Sequence, residues 1–215
     1  LEAARDEDSG GNSRFAGGVM RFAYESVDDL RRVTDLTDEE VANSDFGTNT
    51  REEYLEDIYR LTAYRTDPDL SETLVNESLD TMAWLRSKGT RFVPNYGRQS
   101  GMVNGKRKFF GRLPIEVSGG GAGLVQMWHR ILNRNNLDIR FDHAAHSLVT
   151  NDKGDVTGIM VLTPDGFLQI NCKNVVLACG GFQANPAMRV QYLGAGWDVA
   201  KVRGSAYDTG DGHQM

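Results

Sequence analysis

The hydrophobic positions in the first fifty residues predict one helix between two irregular stretches. Residues 1–18 are polar and glycine-rich without a period, so we expect a loop there. Across residues 19–30 the apolar side chains recur at helical spacing, which predicts a helix entered near Val19. Residues 35–47 are acidic and predict an irregular segment with one short turn.

Residues 50–88 predict a helical hairpin from their end signals and apolar stripes. Thr50 followed by Glu53 is a capping box, in which a hydroxyl and a carboxylate satisfy the first free N–H groups of a helix. Asp67 before a proline predicts the start of a second helix, and Gly89 predicts its end. The outer faces are charged, so the simplest interpretation is a solvated covering layer without chemistry.

The second half of the chain changes to patterns typical of strands. Short strands are expected near residues 91–93 and 108–110, and a glycine cluster at 119–123 precedes another helix. Turn sequences then separate three strands, which predicts an antiparallel β-meander at about 138–172. Its strands are expected at 139–150, 156–163 and 167–172. Residues 175–179 are apolar throughout, which predicts a strand buried on both faces of a parallel sheet.

These elements make the fold class α/β, and composition and charge exclude several kinds of partner. The net charge of −6, without a basic stripe, argues against nucleic acid. No apolar run is long enough to cross a bilayer, so membrane association is not expected. Two cysteines without metal-ligand spacing, and the lack of a recognisable signal peptide, predict a cytoplasmic protein.

Glycine is the most informative part of the composition, because 24 glycines occur mainly in clusters, against 5 prolines. Clustered glycines let the main chain approach a ligand closely, which favours a cofactor cradle over a set of unrelated turns. The Gly-x-Gly-x-x-Gly fingerprint of dinucleotide-binding folds is absent. Residues 119–124 come nearest to it, but no clear strand precedes them.

Four motifs, taken in order, resemble the fumarate reductase and succinate dehydrogenase flavoprotein family. They are Leu-Glu-Ala at 1–3 with Gly-Gly-Asn-Ser at 10–13, Gly-Gly-Gly-Ala-Gly-Leu-Val at 119–125, Val-Val-Leu-Ala-Cys-Gly-Gly-Phe at 175–182, and Thr-Gly-Asp-Gly at 209–212. Each motif alone is weak, whereas the ordered set is specific and spans nearly the whole chain. Within the family, residues 12–15 and the helical hairpin look most like the tricarballylate dehydrogenase branch.

The resemblance implies a partial FAD-binding lobe of the Rossmann-like, glutathione-reductase type, with the three-stranded antiparallel β-meander and the helical hairpin. Residues 1–215 would form an incomplete FAD-binding domain that lacks the first βα unit and the capping domain. In the family, the catalytic histidine and arginine residues follow the Thr-Gly-Asp-Gly motif. No catalytic residue is therefore expected in this chain.

The resemblance also implies which residues contact FAD. Glu2 would accept hydrogen bonds from the adenosine ribose, residues 10–13 would approach the pyrophosphate and the flavin edge, and residues 16–18 would lie under the isoalloxazine ring. The remaining contacts would come from the adenine, adenosine and hydroxyl-binding positions in the second half. The complete predicted set is Glu2, Gly10, Gly11, Asn12, Ser13, Ala16, Gly17, Gly18, Ala145, Ala178, Cys179, Gly180, Gly181 and Asp211.

Two positions depart from the family pattern. Asn12 stands where some members carry a flavin-linking histidine, so FAD is expected to be bound non-covalently. Cys179 replaces a threonine before the paired glycines, and a thiol is a poorer hydrogen-bonding group than a hydroxyl.

The activity implied by the resemblance is hydride transfer between flavin and a small di- or tricarboxylate, with a separate electron acceptor or donor as partner. One alternative is a ketosteroid-type flavin dehydrogenase, which would need an apolar substrate tunnel. Another is a truncated lobe without cofactor or activity, because pyrophosphate binding at a helix N-terminus supplies much of the affinity for a dinucleotide.

Several other residues have a functional and a structural interpretation. His143 and His146 suggest a metal site, but on a strand they would point to opposite faces, which favours structural histidines. His213 follows the last motif and is a candidate to approach flavin or substrate. Cys179 is more simply a buried thiol than a nucleophile. The basic residues between Arg98 and Arg112 are more simply a solvated loop than a polyanion site.

Overall fold

The computed structural model describes all 215 residues, and its contacts divide them into two units. We call Gly17–Ile131 the hairpin unit, and Leu1–Ala16 together with Leu132–Met215 the meander unit. The helices are α1 (Val27–Val33), α2 (Asp38–Ala42), α3 (Arg51–Leu61), α4 (Pro68–Lys88), α5 (Gly120–Arg134), α6 (Pro186–Leu193) and α7 (Asp211–Gln214). The strands are β1 (Ser44–Asp45), β2 (Phe92–Pro94), β3 (Ser100–Val103), β4 (Lys106–Phe109), β5 (Ile115–Val117), β6 (Ala144–Thr150), β7 (Val156–Thr163) and β8 (Gly166–Asn171).

The predicted helical hairpin is confirmed as α3 and α4. The Thr50 side chain accepts a hydrogen bond from the Glu53 N–H, and the Glu53 carboxylate accepts one from the Thr50 N–H. Asp67 caps α4, and Gly89 ends it in the left-handed conformation. One face is buried through Val75 and Met82, whereas residues on the outer face are exposed.

The predicted helix at residues 19–30 is wrong over its first eight residues. The chain is not helical until Val27, where Ser26 and Asp29 form a capping box. Before it, the backbones of Tyr24 and Asn49 exchange two hydrogen bonds of 2.9 Å. This pairing holds the segment extended. The apolar residues before Val27 are therefore buried on an extended chain and not on one face of a helix.

Residues 35–47 contain more regular structure than their acidity predicted. Thr37 and Glu40 form another capping box at the start of α2. The strand β1 follows it and pairs in parallel with β4, with Ser44 opposite Arg107. Acidic residues in the first turn of a helix interact favourably with its dipole, so the charge that suggested a loop is compatible with a helix start.

The hairpin unit buries two clusters of apolar residues, of which the larger forms a core between its helices and two small sheets. The sheets have the strand orders β1-β4-β3 and β2-β5. The buried residues of this core are Phe22, Tyr24, Leu30, Val33, Leu36, Phe46, Met82, Phe92, Phe109, Ile115, Val117 and Leu124. The short strands predicted near 91–93 and 108–110 and the helix after the glycine cluster are confirmed as β2, β4 and α5.

The meander unit is built on the predicted antiparallel sheet, in the order β6-β7-β8. The first strand begins at Ala144 instead of residue 139. The chain start lies beside the segment that precedes it, because the Glu2 N–H donates to the Arg140 carbonyl and the His143 N–H donates to the Glu2 carbonyl. The predicted loop at 1–18 contains two short 3₁₀ helices, Asp6–Asp8 and Gly11–Phe15.

The prediction of a buried parallel strand at residues 175–179 is wrong for this structure. The segment belongs to no strand, and the side chains of Val176 and Leu177 are 88% and 45% exposed. A strand buried on both faces needs neighbouring strands and covering helices, and no strand of this chain pairs with the segment. Its apolar sequence is therefore solvent-facing here.

No helix of the structure is both long enough and apolar enough to cross a lipid bilayer.

Candidate functional site

Glycine motifs that are far apart in the sequence meet at the carboxylate of Asp208. A Cβ placed on Gly180 would lie 2.7 Å from Asp208 Oδ1, and one placed on Gly11 would lie 3.8 Å from the same oxygen. Gly180 also has a φ of +74°, which favours glycine. Side chains are therefore excluded from Gly180 by contact and by backbone conformation together.

Asp208 itself is buried, with 5% of its surface exposed. Its Oδ2 accepts a hydrogen bond from the Gln183 amide, and its carbonyl accepts one from the Ala184 N–H. Burial and the negative charge of Glu2 raise the pKa of Asp208, against the opposing effect of the Gln183 hydrogen bond. The carboxylates of Glu2 and Asp208 therefore lie close enough for the charge of Glu2 to affect the pKa of Asp208.

Glu2 holds the glycine loop of residues 10–13 in place. Its Oε1 accepts a hydrogen bond from the Ala4 N–H at 3.0 Å, and its Oε2 accepts one from the Gly10 N–H at 3.2 Å. The N–H of Gly10, which was predicted to face a pyrophosphate, is therefore already directed to Glu2. We name Glu2, Gly10, Gly11, Gly180 and Asp208 the Asp208 cradle.

Other predicted residues of the meander unit lie in separate contacts. Asn12 Oδ1 accepts a hydrogen bond from the Ser205 N–H at 2.8 Å, and Gly204 leaves room for this amide, because a Cβ there would collide with it. Ser13 and Ala16 are exposed. Asn12 thus links the glycine loop to the segment that carries Asp208.

The paired-glycine motif and the final motif also meet. A Cβ on Gly212 would lie 2.6 Å from Cys179 Sγ, so these two segments touch. Asp211 accepts a hydrogen bond of 2.6 Å from the Thr209 hydroxyl. The expectation that Cys179 is a buried thiol is wrong, because its residue is exposed. Ala178 is exposed as well, and Gly181 lies against the Gln183 side chain.

Ala145 lies in β6, opposite Val161 of β7. A register shift follows it, between Ala145 and Ser147. Because β6 is an edge strand of the meander, one side of its backbone is free of strand pairing. A ligand contact to the Ala145 main chain would have to be made from that side.

Gly17 and Gly18 belong to the hairpin unit, where each has a contact of its own. A Cβ on Gly18 would lie 2.7 Å from the Cα of Gly120, and Gly18 has a φ of +80°. The backbone of Gly120 therefore accounts for the glycine at position 18 without a flavin. At Gly17 a Cβ would collide with Nη1 of Arg98, so this guanidinium covers the Gly17 main chain.

The histidines singled out in the sequence have structural contacts. His143 Nδ1 lies 2.7 Å from the Phe141 carbonyl, and His146 packs on the ring of Phe167. His213 contacts the ring of Phe182 edge-on. No group of three or more His, Cys, Asp or Glu side chains is arranged to hold a metal ion.

Sequence reasoning missed two buried polar residues of the meander unit, Asp208 and Arg189. Arg189 is buried, and its guanidinium donates to backbone carbonyls that include Gln183, Trp197 and Asp198. It therefore fixes the segment after α6. The available signal for Asp208 was its place directly before the Thr-Gly-Asp-Gly motif, whereas nothing in the sequence around Arg189 indicates burial.

The Asp208 cradle fits the hydroxyl-bearing part of a flavin nucleotide. Carboxylates accept hydrogen bonds from hydroxyl groups but repel phosphates, so the neighbouring Glu2 and Asp208 favour a ribose or ribityl chain. Gly180 leaves room for the Asp208 carboxylate, and the main chain of Gly11 lies close to the same oxygen. Main chain in close approach and acidic acceptors are features of nucleotide-binding sites of the flavoprotein type.

The comparison with protein families names this class more closely. The model of the "FAD binding domain" family matches residues 4–215, and the chain belongs to that family. Its cofactor is accordingly FAD. The resemblance to fumarate reductase flavoproteins and the α/β fold class, both inferred from the sequence, are confirmed by this match and by the relatives below.

Two curated relatives are fumarate reductases. The chain is 27% identical over 177 residues to a fumarate reductase (cytochrome) of Shewanella frigidimarina, covering 82% of this chain and 28% of that protein. It is 26% identical over 208 residues to the probable fumarate reductase Ifc3 of Shewanella frigidimarina strain NCIMB 400, covering 96% of this chain and 32% of that protein. The chain thus spans about a third or less of these relatives.

Solved structures share the fold. The open conformation of a flavocytochrome c3 fumarate reductase matches 96% of this chain and 33% of its own, with a TM-score of 0.72 and 23% identity. A 3-ketosteroid Δ1-dehydrogenase from Sterolibacterium denitrificans matches 95% of this chain and 47% of its own, with a TM-score of 0.67 and 16% identity. At these identities the likeness describes the fold alone.

Proposed function

We propose that this chain is part of the FAD-binding lobe of an oxidoreductase that transfers a hydride between flavin and a di- or tricarboxylate. The finer assignments carried by the sequence resemblance, to a fumarate reductase-like or tricarballylate dehydrogenase-like enzyme, belong to this proposal. The fumarate reductases among its relatives support a dicarboxylate substrate. The predicted cytoplasmic location also remains part of it, supported by two free thiols at Cys172 and Cys179.

The observation that carries the proposal is the convergence of separate motifs on the Asp208 cradle. Gly10 and Gly11 come from the start of the chain, Gly180 from the paired-glycine motif, and Asp208 from beside the last motif. Unrelated surface turns would have no reason to meet. Their meeting is what a shared nucleotide ligand requires of segments so distant in sequence.

We further infer that the first βα unit and a capping domain lie elsewhere in a longer protein. The exposed apolar side chains of Val176 and Leu177 support this, because a central parallel strand would bury them. The coverage of only 28% of one curated relative supports it too. The residues that clamp and protonate substrate would then lie outside these 215 residues.

Bound FAD supplies two-electron redox chemistry by accepting or donating a hydride at N5. A saturated substrate would lose a hydride and a proton from neighbouring carbons, and a separate electron acceptor would take up the two electrons; reduction of an enoate is the reverse. The meander unit would bind and orient the cofactor, with the twelve predicted residues that lie in it and with Asp208. Asn12 offers no nucleophilic side chain for a flavin bond, which supports non-covalent binding.

The first test measures flavin binding by the longer protein that contains this chain. We expect a yellow protein whose flavin is released into solution by acid precipitation, as non-covalent binding requires. Gly180→Ala should weaken FAD binding by about tenfold or more, because its side chain displaces the Asp208 carboxylate. A colourless protein that does not bind added FAD would contradict the proposal.

Gly154→Ala is the matched control for Gly180→Ala. Gly154 has a φ of +86°, close to that of Gly180, but a Cβ on it meets nothing within 4 Å. Both variants therefore introduce similar backbone strain, and only one fills the Asp208 cradle. Equal losses of FAD affinity in the two variants would assign the effect to strain instead of to the cradle.

The second test identifies the substrate class. The protein with chemically reduced flavin is mixed anaerobically with fumarate, with an unsaturated tricarboxylate or with a 3-ketosteroid, and flavin reoxidation is followed by absorbance. We expect a carboxylate to reoxidise the flavin. Reoxidation by the steroid alone would replace the carboxylate assignment with a ketosteroid-type dehydrogenase, whose fold this chain shares.

The third test addresses the 215-residue chain by itself. We expect it to bind FAD weakly or not at all, because the proposed first βα unit would supply the main pyrophosphate contact. A stoichiometric yellow preparation of this chain would contradict that expectation. A longer protein that also binds no flavin would favour the alternative of a lobe without cofactor.

A further inference from the structure

We infer that Asp208 is a cofactor-binding residue whose Oδ1 accepts a hydrogen bond from a sugar or ribityl hydroxyl of FAD. The inference rests on the proposed function, and it adds a carboxylate ligand that no motif of the sequence indicated. Its basis is the direction of the two Asp208 oxygens within the Asp208 cradle.

The two oxygens of Asp208 have different surroundings. Oδ2 accepts the hydrogen bond from the Gln183 amide. Oδ1 accepts none from the protein, and it faces Gly11 and Gly180. Although the residue is largely buried, Oδ1 is not one of the fully buried polar atoms that lack a partner, so it remains within reach of solvent or a ligand. Asp208 therefore keeps an acceptor oxygen for which the protein supplies no donor.

Unlike Oδ1 of Asp208, Glu2 already serves the glycine loop. Its two oxygens already accept the N–H groups of Ala4 and Gly10. Glu2 thus shapes the loop, and its charge acts on Asp208. With two carboxylates side by side and the Gln183 amide as the only side-chain donor to Asp208, the site favours a neutral hydroxyl donor over a phosphate.

The neighbouring main chain is arranged around the same carboxylate. Ala184 donates its N–H to the Asp208 carbonyl, and Asn12 fixes Ser205 three residues earlier. These contacts hold the residue from the start of the chain and from the segment after the paired glycines. Asp208 is therefore oriented by parts of the chain that carry the predicted FAD contacts.

The test uses the longer protein, stripped of flavin, and variants at Asp208. Affinity is measured for FAD by flavin fluorescence, and for FMN and ADP by direct titration. FMN carries the ribityl hydroxyls and ADP carries the adenosine ribose, so the two probes separate the possible sources of the hydroxyl. We expect Asp208→Ala to weaken FAD binding about 10- to 100-fold, the range of a hydrogen bond to a charged group.

The same variant should weaken only one of the two partial ligands. A loss confined to FMN assigns the hydroxyl to the ribityl chain, and a loss confined to ADP assigns it to the ribose. Asp208→Asn keeps the shape of the side chain, and provides a second variant if the alanine variant does not fold. Asp165→Asn, at an exposed turn of the meander unit, is the control and should bind all three ligands within twofold of wild type.

Two results would overturn the inference while leaving the proposed function intact. One is an Asp208→Asn variant that binds FAD within twofold of wild type. The other is an equal loss of FAD, FMN and ADP binding, which would make Asp208 a structural residue only. If the wild-type protein binds no FAD at all, the proposed function fails before Asp208 is tested.

Discussion

The two units of this chain are stabilised in different ways. The hairpin unit contains both clusters of buried apolar residues, including Phe22, Leu30 and Ile115. The meander unit has few buried apolar residues: Ala4, Ile159, Val161 and Met188. It contains instead the buried polar groups Asp208 and Arg189 and most of the predicted FAD contacts.

The difference indicates that the meander unit has little apolar core of its own. Hydrophobic burial is the main favourable contribution to folding, so few buried side chains leave little stabilisation. Glycines and buried carboxylates add cost, because they lose chain entropy and solvation. We therefore expect FAD and additional chain segments to stabilise the meander unit, whereas the hairpin unit has a core of its own.

The largest expected effect breaks the hairpin core. Phe22→Ala should lower the free energy of unfolding of the hairpin unit by about 3–5 kcal/mol, because it removes a buried aromatic ring and leaves a cavity. Leu177→Ala in the same 215-residue chain should lower the free energy of unfolding of the meander unit by only about 0.5 kcal/mol or less, since that side chain is half-exposed. Urea unfolding followed by hydrogen exchange separates the two units.

Leu177→Ala behaves differently in the longer protein if Leu177 lies in a completed sheet there. The variant should then lower the free energy of unfolding by about 2–5 kcal/mol, as the truncation of a buried leucine does. A cost below about 1 kcal/mol in the longer protein would mean that residues 175–179 are not a central strand, and would contradict the proposed first βα unit.

The second prediction concerns the cofactor. In the longer protein, FAD at a hundred times its dissociation constant should raise the free energy of unfolding of the meander unit by about 2.7 kcal/mol. Hydrogen exchange should slow at residues 10–13 and 178–181, the predicted contacts. Protection limited to the hairpin unit would contradict the assignment of the cradle.

The third prediction tests why Gly18 is a glycine. Gly18→Ala should destabilise the hairpin unit by about 1–3 kcal/mol more than Gly47→Ala, because only the first variant forces the chain against the Gly120 backbone. Both glycines have positive φ, so backbone strain is shared. Thermal unfolding of the flavin-free chain measures the difference. If the two variants were equally stable, a flavin contact would be the better explanation for the glycine at position 18.

The sequence predicted the features that depend on neighbouring residues. The Thr50 and Asp67 caps and the Gly89 terminator are local, so the hairpin followed from them. The turns of the β-meander are local as well. The position of the first helix was wrong because the extended pairing of Tyr24 with Asn49 joins residues 25 positions apart, which helical spacing alone does not reveal.

The candidate site was predictable only where it coincided with motifs. Glycine clusters indicated where the main chain comes close to other groups, whereas the place of Asp208 directly before the last motif did not show that it lies beside Gly11, which is far away in sequence. Residues 175–179 have the composition of a buried strand, but burial depends on partners that the segment itself does not specify. Features that depend on neighbouring residues could therefore be predicted from the sequence, whereas contacts between distant segments could not.

The smallest predicted effect is a difference in pH dependence. Lowering the pH should lower the stability of the hairpin unit and raise that of the meander unit. In the hairpin unit, hydrogen bonds from Arg21 and Arg60 and the charge of Arg112 lower the pKa of Asp57 to about 2. The unfolded chain then binds the proton more tightly, so this contribution to stability is present above about pH 4 and is lost as the pH falls towards 2. In the meander unit, the pKa of Asp208 is raised, so its contribution is present at low pH and is lost as the pH rises through the folded-state value.

Unit-resolved hydrogen exchange between pH 2 and pH 6, corrected for intrinsic exchange rates, would measure both slopes. Asp57→Asn should flatten the acid loss of the hairpin unit, and Asp208→Asn should flatten the opposite slope of the meander unit. Asp38→Asn, at a fully exposed carboxylate paired with Arg31, is the control and should change neither. The Asp57 effect should also shrink in high salt, because its ion pairs are only partly shielded from solvent. If the stability of both units changed with pH in the same direction, the Asp208 carboxylate would behave like an ordinary surface acid. That result would argue against its binding role.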